Sequence, residues 1–122
     1  MKRCLIVDDS EVIRKVARHI IGGLHYEIWE AETGELALEQ CKLLMPEVIL
    51  LDWQLPDLTV VEFLSALRFS TGGKRPFVIY CTTENDIADI QRALTAGADD
   101  YLIKPFDRAS LVGKFSEVTL IA

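Results

Sequence analysis

Two short runs without a polar residue, Cys4-Leu5-Ile6-Val7 and Val48-Ile49-Leu50-Leu51, constrain the fold of this chain more than any other feature. Such runs suit strands buried on both faces of a parallel sheet, although a buried helical segment can read the same way. Each run ends in acid, the first in Asp8-Asp9 and the second in Asp52. If both are parallel strands, their carboxyl ends share one sheet edge and three carboxylates meet there. That edge is where open α/β sheets place their ligands. Two like charges about 4 Å apart repel by roughly 4 kcal/mol at an effective dielectric near 20. A site built this way wants a cation.

At 122 residues there is room for one domain, residues 1–122, with a proper core. Half of the residues are hydrophobic, which excludes a disordered chain. A net charge of −6 argues against nucleic acid as a partner, because phosphate binding needs a basic surface. No apolar stretch approaches the roughly 18 residues of a membrane helix, so no membrane association is expected. Strand-like sequence begins directly after Met1-Lys2-Arg3; no signal peptide is expected, and the reading is a cytoplasmic protein. Cys4, Cys41 and Cys81 are odd in number and sit inside apolar patterns, as buried reduced thiols would.

Helix-like and strand-like patterns alternate along the chain. Residues 10–24 place Val12, Ile13, Val16, Ala17, Ile20, Ile21 and Leu24 at helical spacing, with Glu11, Arg14, Lys15 and Arg18 opposite. Residues 26–30 alternate apolar and polar, as an edge strand with one wet face would. A helix over 34–44 buries Ala37, Leu38, Cys41 and Leu44 and is stopped by Pro46. After the strand 48–52 and a loop, Thr59-Val60-Val61-Glu62 fits a capping box. The helix it opens shows Val60, Phe63, Leu64 and Leu67 on one face. Residues 70–73 make a turn and 77–81 a fourth strand, ending in Thr82-Thr83. A fourth helix over 85–96 turns Ile87, Ile90 and Leu94 inward and stops at Gly97. Residues 101–103 form a fifth strand closed by Lys104-Pro105, and a last helix over 107–118 buries Leu111, Phe115 and Val118. Five such units on a buried parallel sheet give a doubly wound α/β domain with right-handed crossovers.

Under that topology, four strand ends deliver side chains to one edge: Asp8 and Asp9, Asp52, Thr82 and Lys104. Three Asp residues with no His or Cys make a hard oxygen set, suited to Mg2+ rather than zinc. Three carboxylates, one divalent cation and one ammonium sum to zero, leaving a site able to accept a dianionic phosphoryl group.

This constellation resembles a response-regulator receiver domain of the standalone chemotaxis type, over nearly the whole chain. The residues that carry the resemblance are Asp8-Asp9, Asp52 in Leu-Leu-Asp-Trp-Gln-Leu-Pro, Thr82, and Ala96-Gly97-Ala98-Asp99-Asp100-Tyr101 leading to Lys104-Pro105-Phe106. It implies a flavodoxin-like five-stranded sheet of order 2-1-3-4-5 with five helices. It implies Asp52 as phosphoacceptor, attacking a phosphohistidine on a sensor histidine kinase or histidine phosphotransfer protein. Asp9, Asp52 and the backbone carbonyl of Gln54 would hold Mg2+ directly, and Asp8 largely through water. Thr82 and Lys104 would each bind a phosphoryl oxygen, and Tyr101 would swing inward as Thr82 is drawn toward the phosphate. Gln54 and Glu84 would tune hydrolysis of the acyl phosphate, and the Lys104-Pro105 bond would be cis. The chain would catalyse only its own phosphorylation and slow dephosphorylation, and would not be an enzyme otherwise. Its output would be binding to a downstream protein, through the fourth helix, fifth strand and fifth helix.

One departure stands out. Family members usually carry Asp-Gly where this chain has Thr59-Val60. Thr caps a helix adequately, but a position that needs positive φ would strain Val60 and force a different loop. Three other classes fit less well. A haloacid-dehalogenase-type hydrolase needs a second Asp two residues beyond its nucleophile, where this chain has Gln54; a flavodoxin-like electron carrier needs a Thr/Ser/Gly-rich loop after the first strand. A constitutive interaction domain would not need the full acceptor set. Arg14, Lys15 and Arg18 are either a solvated stripe or a docking face for an acidic partner. His19 and His25 lack companion ligands, and Ser70-Thr71-Gly72-Gly73-Lys74 lacks the rest of a phosphate loop.

Overall fold

Both apolar runs are central strands, and the sheet around them is parallel throughout. The computed structural model describes residues 1–83 and 86–121. Five strands, β1 (Arg3–Val7), β2 (Glu27–Ala31), β3 (Val48–Asp52), β4 (Phe77–Thr82) and β5 (Asp100–Ile103), lie in the order β2-β1-β3-β4-β5. Between and after them run α1 (Glu11–Gly22), α2 (Gly34–Leu43), α3 (Val60–Phe69), α4 (Ile87–Ala96) and α5 (Arg108–Ile121). No helix among the described residues is long and apolar enough to cross a membrane.

The two-residue period of the strands splits the core into two layers. Leu5, Val7, Ile49, Leu51, Val78 and Tyr80 face one way, against Ala37 and Cys41 of α2, Phe63, Leu64 and Leu67 of α3 and Ala93 of α4. Cys4, Ile6, Val48, Leu50, Ile79 and Cys81 face the other, against Ala17, Ile20 and Ile21 of α1 and Leu111, Phe115 and Val118 of α5. The three cysteines are free and buried, as expected. Burial pushes the Cys41 thiol up to about 11, so it is inert at neutral pH.

The helical stripes are narrower than their sequence suggests. Val12 is 69% exposed and Ile87 66%. Both sit in the first turn of their helices. Val16 and Leu94 flank their stripes and are also exposed, so α4 buries Ile90, as expected, together with Ala93. Leu44, expected inside, caps α2 in an extended conformation and is exposed. Tyr26 lies ahead of β2, and Asn85, placed at the head of the fourth helix, lies outside the described residues.

The Thr59-Val60 departure costs no backbone strain. Thr59 and Glu62 form the expected capping box, and Val60 takes the first helical position. Among the described residues only His25 has positive φ without being glycine. The loop before α3 is instead anchored sideways. Asp57 accepts from the backbone N–H groups of Gly34 (2.9 Å) and Glu35 (2.8 Å). Burial opposes its ionisation, but those donors hold its carboxyl below the ordinary value. Gly34 has no room for a side chain, because a Cβ there would stand 2.9 Å from Leu58.

At the opposite end of the sheet, Arg68 uses all five of its N–H donors. They reach the carbonyls of Gly73, Pro76 and, twice, Gly97, and the carboxylate of Asp99. Gly97 closes α4 at φ 134°, and a Cβ there would meet Arg68 Cγ at 2.8 Å.

Candidate functional site

Parallel register assembles the acidic edge. Val7 pairs with Leu51, so one step further along Asp8 comes level with Asp52. Asp52 itself pairs with Cys81, and Thr82 with Ile103, the residue before Lys104. The Lys104 N–H donates to the Thr82 carbonyl at 2.7 Å, which ties the last strand end to the site. One carboxylate oxygen from each of Asp8, Asp9 and Asp52 lies within 4.8 Å of the others. Asp8 and Asp52 are only 4% and 5% exposed, whereas Asp9 faces solvent. The peptide between Lys104 and Pro105 is cis.

Lys104 fills the middle of this cluster. Its Nζ donates to Asp8 Oδ2 at 2.8 Å and to Asp52 Oδ1 at 2.6 Å. Burial alone would lower the Lys104 pKa, but its bonds to Asp52 and Asp8 outweigh that and raise it. Asp52 is also pushed up, first by burial and then by the Asp8 charge, against the opposing pull of Lys104. Asp8 is fixed on its other oxygen by the Ser10 N–H at 2.9 Å, while Ser10 Oγ accepts from Ile13 N and caps α1. Three carboxylates against one ammonium leave a formal charge of −2. An oxygen-only set with that charge fits a hard divalent cation, and the exposed Asp9 leaves one side open to water.

Other expected residues are placed as follows. Thr82 is buried at the end of β4. Tyr101 pairs in register with Tyr80 but is 37% exposed, and the Lys114 ammonium stands 5.4 Å from its ring centre. Gln54 is exposed in the loop just after Asp52, and Glu84 lies outside the described residues. The basic stripe on α1 is largely consumed internally. Arg14 and Arg18 both pair with Glu30, Arg14 also donates to the Asp8 carbonyl at 2.8 Å, and Lys15 pairs with Glu11.

Two residues near the site had no sequence motif to announce them. Tyr80 is fully buried in β4, and its hydroxyl donates to Asp89 Oδ2 of α4 at 2.5 Å. Burial and then this bond push its pKa up. The available signal was Tyr80 standing two residues before Thr82, on the same strand face. An open groove of about 630 Å³ runs beside the carboxylates rather than over them, lined by Trp53, Pro56, Thr59, Glu62, Tyr80 and Asp89 among others.

Known proteins resemble this chain in sequence and fold. The chemotaxis protein CheY of Halobacterium salinarum is 32% identical over 117 residues, covering 96% of this chain and 96% of that protein. The phosphate regulon transcriptional regulatory protein PhoB of Escherichia coli is also 32% identical over 117 residues, but this chain spans only 51% of its length. The structure of the chemotaxis response regulator CheY4 of Vibrio cholerae superposes with a TM-score of 0.91 at 31% identity, covering 97% of this chain and 98% of that one. The sequence pattern of the response regulator receiver domain matches residues 4–116. A match of that extent, on the same five-stranded sheet, means that the chain belongs to the response regulator receiver domain family and is CheY-like within it.

Proposed function

We propose that this receiver takes a phosphoryl group onto Asp52 from a phosphohistidine, on a sensor histidine kinase or histidine phosphotransfer protein, and signals by phosphorylation-dependent protein binding. The observation that carries the reading is the gathering of Asp8, Asp9 and Asp52 within 4.8 Å around a lysine that touches two of them. A carboxylate oxygen of Asp52 attacks phosphorus, the P–N bond breaks, and the imidazole leaves with its electron pair. Mg2+, held by Asp8, Asp9, Asp52 and the Gln54 backbone carbonyl, would neutralise charge on the transferring oxygens. The chain's own part is positioning. Lys104, already 2.6 Å from an Asp52 oxygen, turns its charge to a phosphoryl oxygen once Asp52 carries the acyl phosphate. Thr82 hydrogen-bonds another. Both contacts arise only with the phosphoryl present, so they supply the differential free energy that shifts a two-state equilibrium.

In this reading Tyr101 follows Thr82 inward, and Gln54 and Glu84 tune hydrolysis of the acyl phosphate. The chain acts in the cytoplasm, turns over no substrate beyond its own phosphoryl group, and passes its signal through α4, β5 and α5 to another protein. Intact-mass spectrometry tests the acceptor. With Mg2+ and a small-molecule phosphodonor, the wild type gains one phosphoryl group and Asp52→Asn gains none. Equal modification of the variant would remove Asp52 from the mechanism.

A further inference from the structure

We propose that Arg14 is a positioning residue for the acidic site, fixing the main chain at Asp8 and so aiming the Asp8 carboxylate. Every polar atom of Asp8 has a partner. Its N–H donates to the Ala31 carbonyl at 3.1 Å. Its two carboxylate oxygens accept from the Ser10 N–H at 2.9 Å and from Lys104 Nζ at 2.8 Å. Its carbonyl accepts from Arg14 Nη1 at 2.8 Å. The bonds to Ala31 and Ser10 use backbone groups, which almost any sequence would supply. Lys104 and Arg14 are the two partners that depend on side-chain identity. Because Arg14 holds the carbonyl, it steadies Asp8 without occupying either carboxylate oxygen.

Arg14 is itself braced. Its side chain is only 14% exposed, and its Nε donates to Glu30 Oε1 at 3.0 Å. The other Glu30 oxygen accepts from Arg18 at 2.8 Å, and the Glu30 carbonyl accepts from Gln40 Nε2 at 2.9 Å. Glu30 and Ala31 are the last two residues of β2. One strand end therefore supports Asp8 twice, directly through the Ala31 carbonyl and indirectly through Glu30 and Arg14. A guanidinium suits the task, since its planar fork reaches a carbonyl and a carboxylate at once in a fixed geometry. The consequence for metal binding rests on the Mg2+ reading given above. There charge and position predict opposite signs. Deleting a cation near a cation site tightens binding if charge alone matters. Deleting the support of a metal-site carboxylate weakens it.

Isothermal calorimetry of Mg2+ binding to the unphosphorylated protein reads that sign. Arg14→Met, which keeps an unbranched apolar stem, should raise the Kd about tenfold. Arg14→Lys, which keeps the charge and loses the fork, should raise it as well. Lys15→Met deletes a cation of the same helix that pairs with Glu11, and should leave the Kd within about twofold of wild type. Wild-type or tighter binding in either Arg14 variant would overturn the proposal. A second measurement needs no metal. The Ser10 N–H rests on the Asp8 carboxylate, so its hydrogen exchange, followed by NMR with chelator present, should be about tenfold faster in Arg14→Met. An unchanged Ser10 rate would also overturn the role of Arg14. Absence of Mg2+ binding in the wild type would instead strike the metal reading, and the Ser10 amide would still decide whether Arg14 positions Asp8.

Discussion

The two ends of the sheet each carry a cation among oxygens, and they are built to opposite specifications. At the amino end, Arg68 makes five hydrogen bonds with five N–H donors to four acceptor atoms, and only one of those acceptors, on Asp99, is charged. Asp99 in turn accepts from the Val78 N–H at 2.8 Å. Charge and hydrogen bonds both close. At the carboxyl end, Lys104 is shared by two carboxylates while a third stands within 4.8 Å. Hydrogen bonds hold that cluster together, but its charge does not close. A saturated cluster has nothing left to bind and serves the fold. An unsaturated one keeps an appetite, here for positive charge.

Removing the cation separates the two most sharply at Arg68. Arg68→Ala removes five hydrogen bonds around the starts of β4 and β5, four to backbone carbonyls and one to the Asp99 carboxylate. A loss of about 3 kcal/mol is expected in urea unfolding, with no dependence on Mg2+. A loss below about 1 kcal/mol would mean that the cluster is ornamental, and the contrast drawn above would fail.

The carboxyl end should respond in the opposite direction. At an effective dielectric near 20, the 2.6 Å contact between Lys104 and Asp52 is worth roughly 6 kcal/mol of attraction. Asp8 and Asp9, each within 4.8 Å, together return roughly 7 kcal/mol of repulsion at the same dielectric. These nearly cancel, so the burial of Asp52 decides the sign. Asp52→Asn should raise Tm by roughly 3 °C in metal-free buffer. Mg2+ should raise the wild-type Tm and move the variant less than half as far. A variant that melts lower without metal would mean that Lys104 has already neutralised the site.

The same contrast explains what was legible beforehand. The apolar runs of β1 and β3 are buried on both faces, so every residue in them is apolar and the strands stand out at a glance. Their carboxyl ends follow from topology, and Asp8, Asp9 and Asp52 with them. Lys104 was legible as a site residue through its place after β5, but its grip on two carboxylates depends on distances no pattern encodes. Helix faces were harder. Val12 and Ile87 fit the periodicity and are exposed, because periodicity fixes which residues share a face and says nothing of how far along the helix that face is covered. The Arg68 cluster left no trace at all. Its acceptors are mostly backbone carbonyls, which are the same in every sequence, and the sole side-chain partner lies 31 positions away. Tyr80 escaped for a related reason: inside an apolar strand a tyrosine reads as bulk, and only the arrival of Asp89 from α4 gives its hydroxyl a purpose.

The smallest expected effect is a difference in pH dependence between wild type and Asp52→Asn. The folded protein raises the Asp52 pKa above 3.8, through burial first and the Asp8 charge next. Below pH 3.8 the carboxyl is protonated in both folded and unfolded chains, and this residue carries no ionisation penalty. As pH rises from there, the unfolded chain loses the proton first, and stability falls until the folded carboxyl has ionised as well. The variant has no such step, and every other titrating group is common to both proteins. The Tm difference, variant minus wild type, should therefore be smallest below pH 3.8, widen as pH rises through the folded pKa, and then hold level. Measured by calorimetry with chelator present, a difference that narrows with rising pH would mean that the attraction of Lys104 outweighs burial and the neighbouring carboxylates. In that case the carboxyl end of the sheet would be as self-sufficient as the amino end, and the site would have no standing demand for a metal ion.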